Sequence, residues 1–348
     1  MTEYALLLLP SANRVYADAA VDLTVAELAA FNDAVLDGRL SAIEPTLIAG
    51  VAYVTFAAAS LSDRDLAFLA NVSARYALFE RTGGLLRPVE LHGLDRFDDD
   101  LVTIPKYAGK TNEQFTKLLL NVTVLASDAA PRMLDTRLRV LDPLCGRGTT
   151  LNQALTYGYD AAGVDLDGKD FEAYAAYIQT YLKRKRLKHK ADLGPVRRDR
   201  RTVARRLTIT LAATKEDHAA GDVQHLDVVH ADTTLAGEFF RPGTFDVIVT
   251  DAPYGVYHGS RTVAAGLRRA PLDLLREAAP GWARLLRPGG ALGLAWNTHV
   301  TNREHAAVQL ADAGLTVLAE PYDRFRHRVD QAITRDILVA RKERPPAG

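Results

Sequence analysis

The chain has 348 residues, 48% of them hydrophobic and 25% charged, with 43 basic and 43 acidic side chains. That composition is expected of a soluble globular protein of one large or two ordinary domains, and the zero net charge names no partner. No apolar run approaches the roughly 20 residues of a membrane span, and the one cysteine, Cys145, excludes an intrachain disulfide.

A lone cysteine suits a reducing cytosol, so a cytoplasmic location is expected. The opening Ala5-Leu6-Leu7-Leu8-Leu9 lacks a basic flank and follows Glu3, so it reads as a strand over 4–9 and not as a signal peptide. Thr24 followed by Glu27 predicts a capped helix running to Phe31-Asn32. Leu47 to Phe56 reads as two short strands broken at Gly50. Ser62-Asp63 starts a capped helix that runs to about Asn71. Tyr76 to Glu80 is a further strand, and Gly83-Gly84 its turn. The order β-α-β-β-α-β predicts a small α+β, ferredoxin-like domain over 1–95. Residues 1–100 carry 7 Arg, no Lys and 15 acids, 7 − 15 = −8. That favours a packing or positioning role over a nucleic-acid surface.

Residues 96–135 read as a linker with a covering helix. The boundary falls in a loop over 92–104 that holds Asp98-Asp99-Asp100. From Ile104 to Asn112 a polar, Gly-containing stretch leads into a helix from Glu113 to Leu125. It is either a solvated linker or a loop lying over a ligand, and the residues alone do not decide.

Residues 136–342 alternate strands and helices. Strands are expected at Arg137–Leu141, Tyr159–Val164, His225–His230, Phe245–Thr250, Ala291–Trp296, Leu315–Ala319 and Ile333–Ala340, with an extra one possible over Leu207–Leu211. Helices are expected over Leu151–Tyr157, Lys169–Leu187, Leu272–Leu286 and Asn302–Ala313, with a helix stop and turn at Arg287-Pro288-Gly289-Gly290. This pattern means a mostly parallel, seven-stranded sheet with helices on both faces. Residues 343–348 are expected to be a frayed tail.

Within this region 183–206 holds 12 Lys or Arg against 2 Asp, 12 − 2 = +10. Lys183, Arg184, Lys185, Arg186, Arg197, Arg198, Arg200 and Arg201 make it a basic insertion. It reads as a phosphate-tracking surface, with a solvated and partly disordered segment as the alternative.

Three acids, Asp142, Asp165 and Asp232, each follow a strand, which puts them along one sheet edge. Gly146 and Gly148 allow a tight turn that approaches a ligand at a helix amino end. A dinucleotide fingerprint wants a small residue where Leu151 stands, so an adenosine cofactor without pyrophosphate, S-adenosylmethionine, fits better. Asp165 would accept from the ribose hydroxyls and Asp232 from the adenine amine. Leu166 and Thr233 follow these acids, and the loop from Asp142 to Thr149 would hold the methionine part. The strand ending Asp251-Ala252-Pro253-Tyr254-Gly255 supplies what an exocyclic amine needs. A carboxylate and a backbone carbonyl orient the amine, and a ring stacks on its base. Most of the catalysis would be positioning, with no metal. His258 reads as an exposed loop residue.

The stretches Asp142-Pro-Leu-Cys-Gly-Arg-Gly-Thr-Thr150 and Asp251-Ala-Pro-Tyr-Gly255 resemble motifs of the tRNA guanosine-N2 methyltransferases that carry THUMP domains. Lys106–Phe115 and His327–Arg335 resemble that family's THUMP-less relatives. The resemblance covers most of residues 104–340. It implies a Rossmann-like methyltransferase using S-adenosylmethionine, with Asp251, Pro253 and Tyr254 at the target amine. It also implies a cofactor-side place for Tyr107, Thr111, Asn112 and Cys145. Ala252 replaces the family's first Pro. No THUMP module fits between Glu80 and Lys106. The expected partner is RNA, with tRNA first. The alternatives are DNA, methylated at adenine N6 or cytosine N4, or a non-catalytic RNA-binding protein on a retained cofactor fold.

Overall fold

The computed structural model describes residues 1–11, 14–107, 109–252, 271–331 and 333–345. It opens with β1 (Thr2–Leu8), α1 (Arg14–Ala34), β2 (Ser41–Ile48), β3 (Val51–Ala58), α2 (Asp63–Leu69), β4 (Arg75–Thr82) and β5 (Leu85–Val89). Their strands form one antiparallel sheet in the order β2-β3-β1-β4-β5. This is the expected ferredoxin-like arrangement with one further edge strand after the Gly83-Gly84 turn. Ala49 and Gly50 both have positive φ, 51° and 82°, so the β2–β3 connection is a two-residue hairpin turn. Ser62 caps α2 in a capping box with Asp65.

α1 differs from expectation. It begins ten residues before the expected cap Thr24, whose hydroxyl donates instead to the Ala20 carbonyl (2.6 Å) in mid-helix. Buried Tyr16, Ala20 and Leu23 extend the apolar stripe toward the amino end, and that burial outweighs the local cap signal.

The chain continues with α3 (Asp100–Thr103), α4 (Glu113–Leu125), β6 (Arg139–Asp142), α5 (Thr149–Thr156), β7 (Asp160–Asp165) and α6 (Gly168–Arg184). β8 (His189–Arg198), β9 (Arg201–Leu211), α7 (Lys215–Ala220), β10 (Gln224–His230), α8 (Ala236–Phe239) and β11 (Phe245–Asp251) follow. The last elements are α9 (Pro271–Leu285), β12 (Leu286–Asn297), α10 (Arg303–Asp312), β13 (Thr316–Val317), β14 (His327–Arg328) and β15 (Thr334–Arg341). The second sheet runs β13-β15-β12-β11-β6-β7-β10-β9-β8, and β14 pairs with β15. Strands β12, β11, β6, β7 and β10 are parallel.

The sheet has ten strands where seven were expected. The seven are present, joined by the hairpin β8–β9 and by β14. The basic insertion is therefore ordered: Lys183 and Arg184 end α6, and from His189 it is the hairpin β8–β9. Asp199 and Arg200, at φ 47° and 63°, close the hairpin in a two-residue turn. β12 also starts at Leu286, the expected helix end, and runs through the turn expected over 287–290. The ladder to β11 skips from Phe245↔Leu286 to Val247↔Ala291, so Pro288 to Gly290 are absorbed as a bulge.

β11 is buried from Phe245 to Thr250 because both sheet faces are covered. Val247 and Val249 join a core with α4, α5, α6 and the amino-terminal sheet, while Ile248 joins a second core with α9 and α10.

The first core is continuous between the two sheets, and a buried carboxylate lies inside it. Glu27 of α1, with no exposed surface, accepts from Ser73 N (3.0 Å), Ser73 Oγ (2.6 Å) and Asn121 Nδ2 of α4 (2.7 Å). Asn121 also donates to the Asn71 carbonyl (2.7 Å). Glu27→Ala strands the Ser73 and Asn121 donors in the core and is expected to cost about 3 kcal/mol or more in urea unfolding. A loss below ~1 kcal/mol would show that α4 is not seated by this network.

Candidate active site

The strand order reverses between β6 and β11. From β6 the chain builds outward through β7 and β10 on one side and through β11 and β12 on the other. Ligands of open α/β sheets bind at the carboxyl ends of the strands beside such a reversal. Asp142, Asp165 and Asp251 all end strands at this edge. Neighbouring strands stand about 4.8 Å apart, so Asp251 lies about one strand from Asp142 and about two from Asp165.

Thr250 closes the seam between the two halves by donating to Asp142 Oδ1 (2.9 Å). Asp142 also accepts from Leu144 N (3.1 Å), which shapes the loop that follows. Burial pushes its carboxyl up to about 7, against the pull of these hydrogen bonds. Asp165 accepts from Gly146 N (2.7 Å) and Asp167 N (2.8 Å), and burial raises it to about 6.

The loop between Asp142 and α5 is held tightly. Gly148 has φ 78°, and a Cβ there would meet the Tyr174 ring at 2.3 Å, so only glycine fits. Gly146, at φ 48°, faces open space beside Asp165. Cys145 is bonded through its N–H to the Val164 carbonyl (3.0 Å), and its buried thiol packs on Gly163. Thr149 shares a hydrogen bond with the Tyr107 hydroxyl (2.8 Å), and the Arg147 guanidinium lies over the Tyr107 ring at 4.9 Å. Tyr107 is thereby placed against the loop. Leu166, 41% exposed, offers an apolar surface next to Asp165.

The other expected cofactor residues divide. Asp232 accepts from Thr234 N (2.9 Å) and Thr234 Oγ1 (2.7 Å), the ordinary work of a cap. Thr233 accepts from the Trp282 indole (3.0 Å). Asn112 caps α4 by accepting from Phe115 N (3.1 Å) and donates to Ser11 (3.0 Å). Thr111 reaches the transfer side, where its hydroxyl donates to Asp251 Oδ2 (2.6 Å).

Asp251 is the centre of that side. Its side chain is 15% exposed, and Arg335 stands 3.3 Å from the same Oδ2. Arg335, 5% exposed, lies over the Phe115 ring at 4.3 Å, and Phe115 packs on His327 at 5.1 Å. Burial raises the Asp251 carboxyl, while Arg335, Thr111 and His327 hold it down. The neighbouring charge and hydroxyl thus oppose the burial that would neutralise this carboxyl. Ala252 is fixed by its N–H bond to the Ala295 carbonyl (2.8 Å). Pro253, Tyr254 and His258 lie outside the described residues. Arg335 and His327 had no role assigned from the sequence. The signal was Arg335-Asp336 at the head of the apolar run Ile337 to Ala340, a charged pair inside a buried strand.

The eight basic residues do not form one surface. His189 pairs with Leu211 at one end of the hairpin, and Arg198 with Arg201 at the other. Lys183, Arg184, Lys185 and Arg186 therefore sit at the amino edge of the sheet. Arg197, Arg198, Arg200 and Arg201 are about 30 Å away, nine residues at roughly 3.3 Å each, beyond the carboxyl edge. Lys185 is held by Asp98 (2.7 Å) and Asp100 (2.5 Å), and Arg198 by Glu238.

Comparison with known proteins decides the reaction class. Residues 132–291 match the UPF0020 family model, an RMKL-like methyltransferase domain. The chain is an S-adenosylmethionine-dependent methyltransferase. The matched residues span β6 to the head of β12 and include the whole reversal at β6 and β11. Among solved structures the chain is similar to precorrin-6y C5,15-methyltransferase of Geobacter metallireducens, at 12% identity over 71% of this chain and 97% of that one, TM-score 0.38. It is also similar to a TehB-like SAM-dependent methyltransferase of Corynebacterium glutamicum, at 14% identity over 61% and 86%, TM-score 0.32. A possible exported protein of Bordetella parapertussis matches at 14% identity over 70% and 78%, TM-score 0.35. No curated protein matches the sequence. Among the described residues no helix is long and apolar enough to cross a membrane.

The loop fits S-adenosylmethionine. Gly146 faces open space beside the Asp165 carboxylate, Leu166 is exposed there, and Tyr107 and Thr149 close the other side.

The raised acids have a consequence for stability. A carboxyl that titrates higher in the fold than its unfolded value near 3.9 stabilises the fold at low pH, and that contribution is lost as pH rises through the folded value. Asp165 is spent by about pH 6, and Asp142 continues to about pH 7. Asp142→Asn is expected to flatten the fall in unfolding free energy between these two values, by no more than one proton's slope of about 1.4 kcal/mol per pH unit. Urea titrations at pH 5, 6 and 7 check this, and an unaltered slope would contradict it.

Proposed function

We propose that the methyl group goes to an exocyclic amine of a nucleobase, guanosine N2 in a structured RNA such as tRNA. The reading rests on one observation above the rest: a shielded carboxylate at the end of β11, held by Thr111 and Arg335, one strand from the cofactor loop. An exocyclic amine is a poor nucleophile because its lone pair is drawn into the ring. Asp251 accepts one N–H, turns the lone pair toward the methyl carbon and offsets the positive charge that grows on nitrogen. Held by the loop between Asp142 and Thr149 and by Asp165, S-adenosylmethionine would supply the methyl group as an electrophile, with S-adenosylhomocysteine as the leaving group. The amine proton then leaves toward the Asp251 carboxylate. Thr111 and Arg335 fix Oδ2 so that the carboxylate does not swing as charge develops. Tyr254, by its motif, is assigned the stacking face. A paired base must leave its helix to reach Asp251. The resemblance of the Asp251–Gly255 and Asp142–Thr150 motifs to the guanosine-N2 enzymes selects guanosine among the amines.

The protein is to be incubated with methyl-labelled S-adenosylmethionine and separate tRNA, rRNA, DNA and protein fractions, and the product nucleoside identified by mass spectrometry. Label as N2-methylguanosine in RNA is expected. Label confined to DNA or protein contradicts the reading. Asp251→Asn keeps the shape and removes the charge, so turnover is expected to fall by about 10²–10³. Cofactor affinity by calorimetry is expected to stay within about threefold, and a parallel loss would move Asp251 to the cofactor.

A further inference from the structure

The hairpin β8–β9 stands where an arm beside the active site would stand. Asp165 pairs with His230, and His230 with Arg205, so these three form one row across β7, β10 and β9. The ladders Ile248↔Leu141 and Leu141↔Ala162 put Asp251 at the level of the same row. From Arg205 the chain runs back four residues to Arg201, so the hairpin tip rises about 13 Å beyond this row. β9 and β8 are four and five strands from β11, about 20 Å to the side of Asp251.

The arginines of the arm have two jobs. Arg198 pairs with Glu238 and lies over Phe239 at 5.5 Å. Arg205 pairs with Glu172 (2.6 Å) and lies over Phe171 at 5.5 Å. Arg206 pairs with Asp227 and lies over Phe240 at 5.7 Å. These three fasten the hairpin to α6 on one face, and to β10 and α8 on the other. Arg197, Arg200 and Arg201 are exposed and make no ion pair among the described residues. Arg200 in the turn and Arg197 and Arg201 beside it are thus offset only by the turn's own Asp199, which leaves the tip with a net 3 − 1 = +2.

We propose that this tip grips the phosphate backbone of the RNA whose base enters the site at Asp251. The inference rests on the proposed function for the identity of the polyanion. Guanidinium forks match phosphate oxygens, and such contacts position a nucleic acid without reading its sequence. The gripped phosphates therefore lie several nucleotides from the one whose base enters the site. Lys183, Arg184 and Arg186, at the far edge, take no part.

The test compares the triple variant Arg197→Ala, Arg200→Ala, Arg201→Ala with the far-edge variant Lys183→Ala, Arg184→Ala, Arg186→Ala. RNA affinity is read by fluorescence anisotropy across salt concentrations on unfractionated tRNA, with S-adenosylmethionine affinity as the folding control. The tip variant is expected to weaken RNA binding about tenfold to a hundredfold and to lower the slope of log K against log salt by about two to three. Its KM for RNA rises, while kcat at saturating RNA stays within about twofold. Arg→Lys at the same three positions restores most of the affinity. The far-edge variant is expected to bind RNA as the parent does. An unchanged salt slope in the tip variant, or an equal loss in the far-edge variant, overturns the proposal. So does loss of binding to anionic phosphatidylserine vesicles with RNA affinity intact. If tip-dependent RNA binding is found but no RNA is methylated, the arm stands and the proposed reaction fails. If RNA is methylated with an unchanged KM, the reaction stands and the arm fails.

Discussion

The carboxylate of Asp251 is the group around which the chain converges. It ends a strand buried on both faces, and the shell around it raises its pKa. A carboxylate in such a place must be given a counter-charge or lose its own. Arg335 supplies the charge from the antiparallel strand next to β12, and Thr111 supplies a hydroxyl from the loop before α4. Three segments spread over more than two hundred residues of sequence (335 − 111 = 224) thus meet on one oxygen.

That convergence gives the amino-terminal sheet a structural reason to exist. Thr111 is in place only if α4 is in place. α4 is held by Asn112 at its cap and by Asn121 on the buried Glu27 of α1. The path Glu27–Asn121–α4–Thr111–Asp251 ties the ferredoxin-like sheet to the transfer side through one continuous core. The reversal between β6 and β11 then separates the labour. The loop after β6 and the end of β7 lie on one side of it and the end of β11 on the other, and Thr250 bonded to Asp142 keeps the two in register.

Much of this was legible in the residues. Runs such as Val247-Ile248-Val249-Thr250 declare a buried strand, and an acid after each of several strands declares a carboxyl edge. The Asp251 motif and the loop around Gly146 and Gly148 needed only local spacing. What escaped was non-local. Thr24 carries a cap signal, yet buried Tyr16 and Ala20 extend the helix past it. The basic run 183–206 is continuous in sequence, but a hairpin places its halves at opposite edges of the sheet. Arg335 was visible only as a charge at the head of an apolar strand, because its partner lies 84 positions away (335 − 251). Thr111 was set beside the cofactor by resemblance, but its bond to Asp251, 140 positions away (251 − 111), was not legible.

Arg335 holds the Asp251 carboxyl down against the burial that raises it, and the proposed reaction depends on that charge. The most direct measurement is the pH dependence of kcat for methyl transfer to RNA in Arg335→Met and Arg335→Lys. With the charge gone, the acidic limb of the Arg335→Met profile is expected to move up by about one pH unit or more, since an opposite charge near a carboxylate holds it down by about that much. Arg335→Lys is expected to return the limb most of the way. An acidic limb that stays where the parent has it in Arg335→Met, with protein folded and cofactor bound, would contradict the account.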